Sequence, residues 1–283
     1  MRPVTPKAAS WLPSAGLLLL LAQPVTADEA RRIISLTPHI TEMLYAIGAG
    51  EQIVATDAAS DYPAEARALP KVANFRSLHL EQILALQPDL VIAWRSAQAL
   101  QVQPLENLGI PVAFSEPKTL QSLADELEYL GELTGHREQA RAVAQDYRQQ
   151  LTQLEAEYSH KTPVTVFYQL GYPPLMSVND HTWMGQAVRL CGGTNILADS
   201  PIPYPQVGTE FVLMQDPQVI LGETTGQLLS LWQQWPELRA VRHGQLWPVD
   251  TVRLHRFTPR TPAGIRDLCE TLETARQGFA SAP

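Results

Sequence analysis

Two glutamates occupy matching places in this 283-residue chain. Glu81 opens the run Glu81-Gln82-Ile83-Leu84-Ala85-Leu86-Gln87-Pro88-Asp89-Leu90-Val91-Ile92. Glu210 opens Glu210-Phe211-Val212-Leu213-Met214-Gln215-Asp216-Pro217-Gln218-Val219-Ile220-Leu221. In each run a carboxylate leads, an apolar pair follows, a proline closes a short helix and an apolar strand comes next. A carboxylate at a helix start is favoured by the unpaired N–H groups there, whatever its role. One carboxylate per repeat would also offer two equivalent negative points to a two-fold symmetric partner. The aromatic residues form a second set: Tyr62 precedes Pro63, Phe75 follows Asn74, and Trp94 ends an apolar run. Tyr168, Leu170 and Tyr172 lead into Pro173-Pro174, and Tyr204 sits between Pro203 and Pro205. Side chains where strands run into loops line α/β clefts, and aromatic faces there suit a large, flat, partly apolar ligand. Taken singly, each is equally well an ordinary packing residue.

Catalytic chemistry finds little support. The chain has no G-x-S-x-G elbow, no G-x-x-x-x-G-K-[ST] loop, no H-E-x-x-H pair and no dinucleotide fingerprint. Its seven histidines form no close ligand pair, so a metal site using His39, His181 or His255 with a carboxylate would depend on the fold. Cys191 and Cys269 are too far apart in sequence to chelate together.

The elements that must position these residues alternate. Arg32 to Leu36 predicts a strand, Thr41 to Ile47 a helix stopped by Gly48, and Gln52 to Ala55 a second strand. Leu80 to Leu86 reads as a short helix and Leu90 to Trp94 as a buried strand. A helix then ends at Gly109, and Ile110 to Phe114 is the next strand. From Leu120 to Tyr158 there is no proline. The second part of this stretch has apolar residues at Ala140, Val143, Ala144, Tyr147, Leu151, Leu154 and Tyr158. That stripe predicts an amphipathic helix of about six turns, roughly 30 Å long, as a rigid connector. A coiled-coil seam is the alternative. The pattern restarts with a strand over Val164 to Tyr168, helices over 183–190 and 209–215, strands over Val219 to Leu221 and Leu246 to Val249, and a final helix from Pro262 to Gln277. Such alternation predicts α/β architecture with mostly parallel sheets. The repeat predicts two similar lobes enclosing a cleft, the usual place for a small-molecule site.

Composition narrows the classes. With 45% hydrophobic and 18% charged residues the chain is globular rather than disordered, and a net charge of −8 with no basic block argues against nucleic acid. Residues 1–27 read as an export signal: Arg2 and Lys7, an apolar run from Leu17 to Ala22, and small residues at Val25-Thr26-Ala27. The apolar stretch is too short to span a bilayer; an uncleaved anchor is the alternative. In an exported chain two cysteines favour a disulfide over two separate buried thiols.

The runs Ser60-Asp61-Tyr62-Pro63 and Leu80 to Arg95 closely resemble the periplasmic vitamin B12-binding proteins of bacterial ABC import systems. So do Cys191-Gly192-Gly193-Thr194-Asn195-Ile196 and Pro203-Tyr204-Pro205-Gln206-Val207. The P-D-L-V-I-A segment alone is typical of the wider class that binds metal chelates, siderophores, haem and corrinoids. The resemblance implies two Rossmann-like lobes, 28–136 and 161–283, joined by a single long helix over 137–160. It implies a periplasmic monomer with no cofactor of its own, capturing cobalamin as cargo. Tyr62, Phe75, Trp94 and Tyr204 fall on its ligand-facing side, and Leu170, in the loop after a strand, is a further candidate ligand contact. Glu81 and Glu210 match the glutamates that meet a two-fold symmetric inner-membrane permease with its ATPase subunits, and Cys191 and Cys269 match the family's disulfide. Phe75 and Tyr204 stand where the best-known member has tryptophan. Thr251 to Arg256 lacks the expected aromatic pair, which leaves Arg253, His255 or Arg256 as contacts, Arg256 foremost. A related corrinoid, haem or a ferric siderophore is the alternative ligand.

Overall fold

Short apolar runs form most of the strands, and each strand pairs in parallel with its neighbours. The computed structural model describes residues 29–223 and 230–280; the export signal expected over 1–27 lies outside them. The first lobe contains β1 (Ile33–Ser35), α1 (Pro38–Ala46), β2 (Ile53–Asp57), β3 (Lys71–Ala73), α2 (Leu80–Ala85), β4 (Leu90–Trp94), α3 (Arg95–Asn107) and β5 (Val112–Ser115). Two helices follow, α4 (Ser122–Thr134) and α5 (Arg137–Tyr158). The second lobe contains β6 (Val164–Tyr168), α6 (Trp183–Leu190), β7 (Gly193–Asn195), α7 (Thr209–Gln215), β8 (Val219–Glu223), α8 (Arg239–Arg242), β9 (Leu246–Val249), α9 (Thr251–His255) and α10 (Thr261–Ala280).

The sheets run β3-β2-β1-β4-β5 and β7-β6-β8-β9. Without its edge strand β3, the first order matches the second strand for strand, so the repeat seen in sequence is a repeat of topology. It extends to local detail. Gln87 and Asp216, each just before the closing proline, both have left-handed backbone, φ 47° and 43°. In both lobes an arginine satisfies the carbonyls that the short helix leaves unpaired at its end. Arg32 Nη2 donates to Leu86 O at 2.6 Å, and Arg239 Nε donates to Asp216 O at 2.9 Å.

Both sheet faces are covered, which is why the strands are apolar nearly throughout instead of alternating with polar residues. Period-two alternation divides them between layers. Ile33, Leu90, Ile92, Val164, Val166, Tyr168, Val219 and Leu221 enter one continuous core shared with α1, α4, α5, α6 and α10. Ile34, Val91 and Ala93 pack outward with Ile83 of α2 and Val102 and Leu105 of α3. Phe167 and Ile220 do the same with Val212 and Trp232.

The connector α5 buries Ala140, Ala144, Tyr147, Leu151, Leu154 and Tyr158, the stripe expected from spacing, with Val143 half-buried. It does not stand alone. The helix α4 ends at the left-handed Gly135, φ 78°, and turns back along α5. A Cβ on Gly131 would lie 2.3 Å from that of Ala140, so only glycine permits this approach. A disulfide joins Cys191, at the end of α6, to Cys269 in α10, both fully buried. The final helix is thereby fixed to its own lobe. The architecture is the two-lobed, parallel α/β fold the sequence predicted.

Candidate functional site

A cleft of about 270 Å³ opens at the carboxyl ends of the first sheet's strands and is closed from the other side by the second lobe. Open parallel sheets place ligands there, where the strand order changes direction. The loop after β1 supplies Leu36 and Thr37, the start of α1 supplies His39, β2 ends in Asp57, and Asn74 and Phe75 follow β3. Trp94 ends β4. From the second lobe come Trp183 at the start of α6, His255 at the end of α9, and Arg256 and Phe257 between α9 and α10.

The aromatic walls are ordered differently in the two lobes. Trp183 stacks on Phe257 with centroids 4.9 Å apart and planes at 3°, and its Nε1 donates to Leu254 O at 2.7 Å. Phe257 is buried with a left-handed φ of 47°, a conformation a bulky residue rarely takes and one that turns the chain into the cleft. Opposite, Trp94 meets His39 edge to face, 5.7 Å apart at 80°. Trp94 is held by Gln98, whose Oε1 accepts from the Trp94 backbone N–H at 2.9 Å while its Nε2 donates to Leu36 O at 3.0 Å. Phe75 projects from the rim and is 90% exposed.

Polar groups below the aromatics are buried but satisfied. Hydroxyl contacts run from Ser35 through Thr41 to Ser60, each 2.8 Å, and Ser60 donates to Asp57. Burial raises the Asp57 carboxyl above its usual range, against the lowering effect of its bonds to Ser60 and Ala59. Burial likewise brings His39 and His255 down to about 4, so both rings are neutral at pH 7. The Nε2 of His255 is 3.0 Å from the Tyr168 hydroxyl.

One edge of the cleft is closed by charge. Glu42 of α1, with its side chain 2% exposed, receives Arg260 Nε at 2.9 Å and Nη2 at 2.7 Å, and Arg256 Nη1 at 3.3 Å. Arg256 also pairs with Asp61, which raises the guanidinium pKa and lowers that of the carboxyl. The Arg260 guanidinium lies 3.7 Å over the Tyr62 ring. Two arginines from one lobe thus grip two carboxylates and a tyrosine from the other.

Of the ligand contacts expected from sequence, the cleft gathers Phe75, Trp94 and Arg256. Tyr62 lies outside it, in a neighbouring groove with Glu42 and Arg260. Leu170 packs against the core, and Tyr204 is partly exposed beyond the cleft lining. Glu81 and Glu210 are exposed in the first turns of α2 and α7, just before the equivalent strands β4 and β8. Trp183 and Phe257, which no sequence signal marks, complete the cleft wall, although Trp183 opens a predicted helix. His39, a candidate metal ligand by sequence, lies in the cleft lining against Trp94. Among the described residues no three His, Cys, Asp or Glu side chains converge as a metal site, and no helix is long and apolar enough to cross a membrane.

The sequence from residue 33 to 247 matches the family model described as periplasmic binding protein. The chain belongs to the periplasmic binding protein family. This is a family of periplasmic binding proteins rather than enzymes. Among relatives of this periplasmic binding protein, the vitamin B12-binding protein of Vibrio cholerae (classical Ogawa strain) is 40% identical over 263 residues, 91% of this chain and 94% of that one. That of Pectobacterium carotovorum is 38% identical over 279 residues, covering 96% and 97%. The crystal structure of the periplasmic vitamin B12-binding protein BtuF of Vibrio cholerae superposes with a TM-score of 0.79 at 40% identity, over 87% of this chain and 98% of that one. The periplasmic haem-binding protein RhuT of Roseiflexus has a TM-score of 0.77 at 24% identity over 87% and 99%, a likeness of fold alone.

Proposed function

We propose that the chain captures vitamin B12 between its lobes and delivers it to an ABC permease in the inner membrane. The observation that carries this reading is a cleft with aromatic walls from both lobes, Phe75 and Trp94 on one side and the Trp183–Phe257 stack on the other. It occurs in a chain 40% identical to a vitamin B12-binding protein along nearly its whole length. Aromatic faces bury large area at little entropic cost, which suits a corrin ring. The cleft volume of about 270 Å³ is below the ~300–1,000 Å³ of sites for drug-sized ligands. A corrinoid is larger than those ligands, so the lobes must separate to admit it, and part of it must remain outside the aromatic slot. Tyr62, Leu170 and Tyr204 are assigned to that outer part, with Phe75, Trp94 and Arg256 on the inner part. The moving bodies are 28–136 and 161–283, with 137–160 between them.

Delivery uses Glu81 and Glu210 on a two-fold symmetric permease. Their equivalent places before β4 and β8 support this assignment, as does the absence of an ion-pair partner for either among the described residues. Such rim charges set orientation and association rate more than affinity. Calorimetric titration with cyanocobalamin, haem and a ferric siderophore tests the ligand: heat with cyanocobalamin alone is expected, and its absence overturns the reading. Reversal of both glutamates to lysine should leave ligand binding intact and abolish transport in reconstituted vesicles. Undiminished transport would remove the docking assignment.

A further inference from the structure

We propose that His39 ligates the metal of the bound corrinoid through Nε2, so that the cleft favours forms whose axial position is exchangeable. The proposal rests on the reading of the cleft as a corrinoid site and adds to it a bond between protein and cargo.

Most polar groups lining the cleft are already committed. His255 Nε2 faces the Tyr168 hydroxyl, Arg256 is held by Glu42 and Asp61, Gln98 bridges two backbone groups, and Asp57 accepts from Ser60 and from the Ala59 N–H. His39 differs. Its Nδ1 lies 3.1 Å from Thr37 Oγ1, while its Nε2 has no partner among the described residues. Metal-ligating histidines characteristically hold one ring nitrogen in a hydrogen bond, which fixes the tautomer and orients the other nitrogen toward the metal. With the proton on Nδ1 donated to Thr37, the Nε2 lone pair is free. The ring is fixed further by its place at the start of α1 and by the Trp94 edge contact. His39 lines the cleft together with Trp94 and Trp183, the aromatic residues between which a flat ring would insert.

The exchange is balanced without an added reactant. Water leaves cobalt(III) with its electron pair, the Nε2 pair forms the cobalt–nitrogen bond, and neither the oxidation state nor the net charge changes. Aquacobalamin permits this exchange, whereas the tightly held cyanide of cyanocobalamin opposes it.

The full chain would be titrated with aquacobalamin and with cyanocobalamin, following the visible absorption of the corrin. With aquacobalamin the bands should move to those of an imidazole adduct prepared from free imidazole. With cyanocobalamin they should stay in place. His39→Ala should abolish both the band shift and the preference for aquacobalamin over cyanocobalamin. His39→Gln serves if the alanine variant does not fold. Aquacobalamin bound by the unmodified chain with unshifted bands would overturn the proposal and leave the corrinoid site standing. A shift that survives in both His39 variants and disappears in His255→Gln would also overturn it. If neither corrinoid bound, the reading of the cleft would fail and this proposal with it.

Discussion

Glu42 offers a severe test of how the two lobes hold together. Its carboxylate is almost fully buried and accepts three hydrogen bonds from Arg256 and Arg260, which belong to the opposite lobe. Removing one partner of a fully buried ion pair costs about 3–5 kcal/mol, because the remaining charge is left without compensation. Here Arg256 and Arg260 are 23% and 27% exposed. Each also keeps a second partner, Asp61 for one and the Tyr62 face for the other. The cost of Glu42→Ala should therefore fall to about 2–3 kcal/mol. At roughly 2–4 °C per kcal/mol for a chain of this size, Tm should drop by about 4–12 °C. An internal comparison exists. Arg148 of α5 pairs with Asp125 and Glu128 of α4 at 2.6 Å each, but those groups are 38%, 73% and 39% exposed. Exposed pairs contribute about 0–1 kcal/mol even in good geometry, so Arg148→Ala should lower Tm by no more than about 4 °C. Scanning calorimetry of the two variants beside the unmodified protein decides the matter. Equal small shifts would refute the claim that burial, and not bond count, makes the Glu42 cluster matter.

Other predictions follow from single contacts. Chain entropy puts the Cys191–Cys269 crosslink, with its separation of 78 residues, at up to about 4.5 kcal/mol; a double alanine variant should lose about 2–4 of these in denaturant unfolding. An unchanged midpoint would show that the loop is restrained by other means. His255 titrates near 6.5 when unfolded and at about 4 when folded, so the unfolded chain binds more protons between those values. Its contribution is complete above pH 6.5 and fades as the pH falls toward 4, by about 3 kcal/mol. Stability measured against pH should show a shallower acid limb in His255→Gln; a superimposable limb would contradict the assignment. Trp183→Ala removes the stack on Phe257 and one wall of the cleft, and cyanocobalamin affinity should fall about thirtyfold, a hot-spot loss of ~2 kcal/mol. A change below threefold would place the ligand elsewhere.

How much could be read in advance follows from where the information lies. Leu90 to Trp94 and the helices over 183–190 and 209–215 were legible because their signals are local: apolar content, length and a terminating proline or glycine. β3 and β7 were not. Lys71-Val72-Ala73 and Gly193-Thr194-Asn195 are strands only because β2 and β6 offer them an edge, and three residues carry too little pattern to announce that. α1 begins at Pro38, ahead of its apolar face, because Thr37 in extended conformation lets proline take the first helical turn. The site follows the same division. Phe75 and Trp94 stand at strand ends and could be found by rule. Trp183 and Phe257 meet only when α6 and the turn before α10 are packed against each other, an arrangement fixed by a core that spans the chain and by a disulfide between the same two helices.

The two lobes share a framework but not a surface, and this difference separates the two tasks proposed for the chain. What is repeated is outward: short helices on the outer sheet faces, a left-handed residue before each proline, an arginine over each helix end and an exposed glutamate in each first turn. What is not repeated faces the cleft. β3, which carries Phe75 to the rim, has no counterpart, and His39 beside Trp94 is met by a stacked tryptophan and phenylalanine rather than by its equivalent. A two-fold partner can engage equivalently only features that occur twice, whereas a ligand without two-fold symmetry gains specificity only from those that occur once. Substitutions on the repeated outer helices should therefore change delivery without changing ligand choice, and substitutions in the cleft should do the reverse.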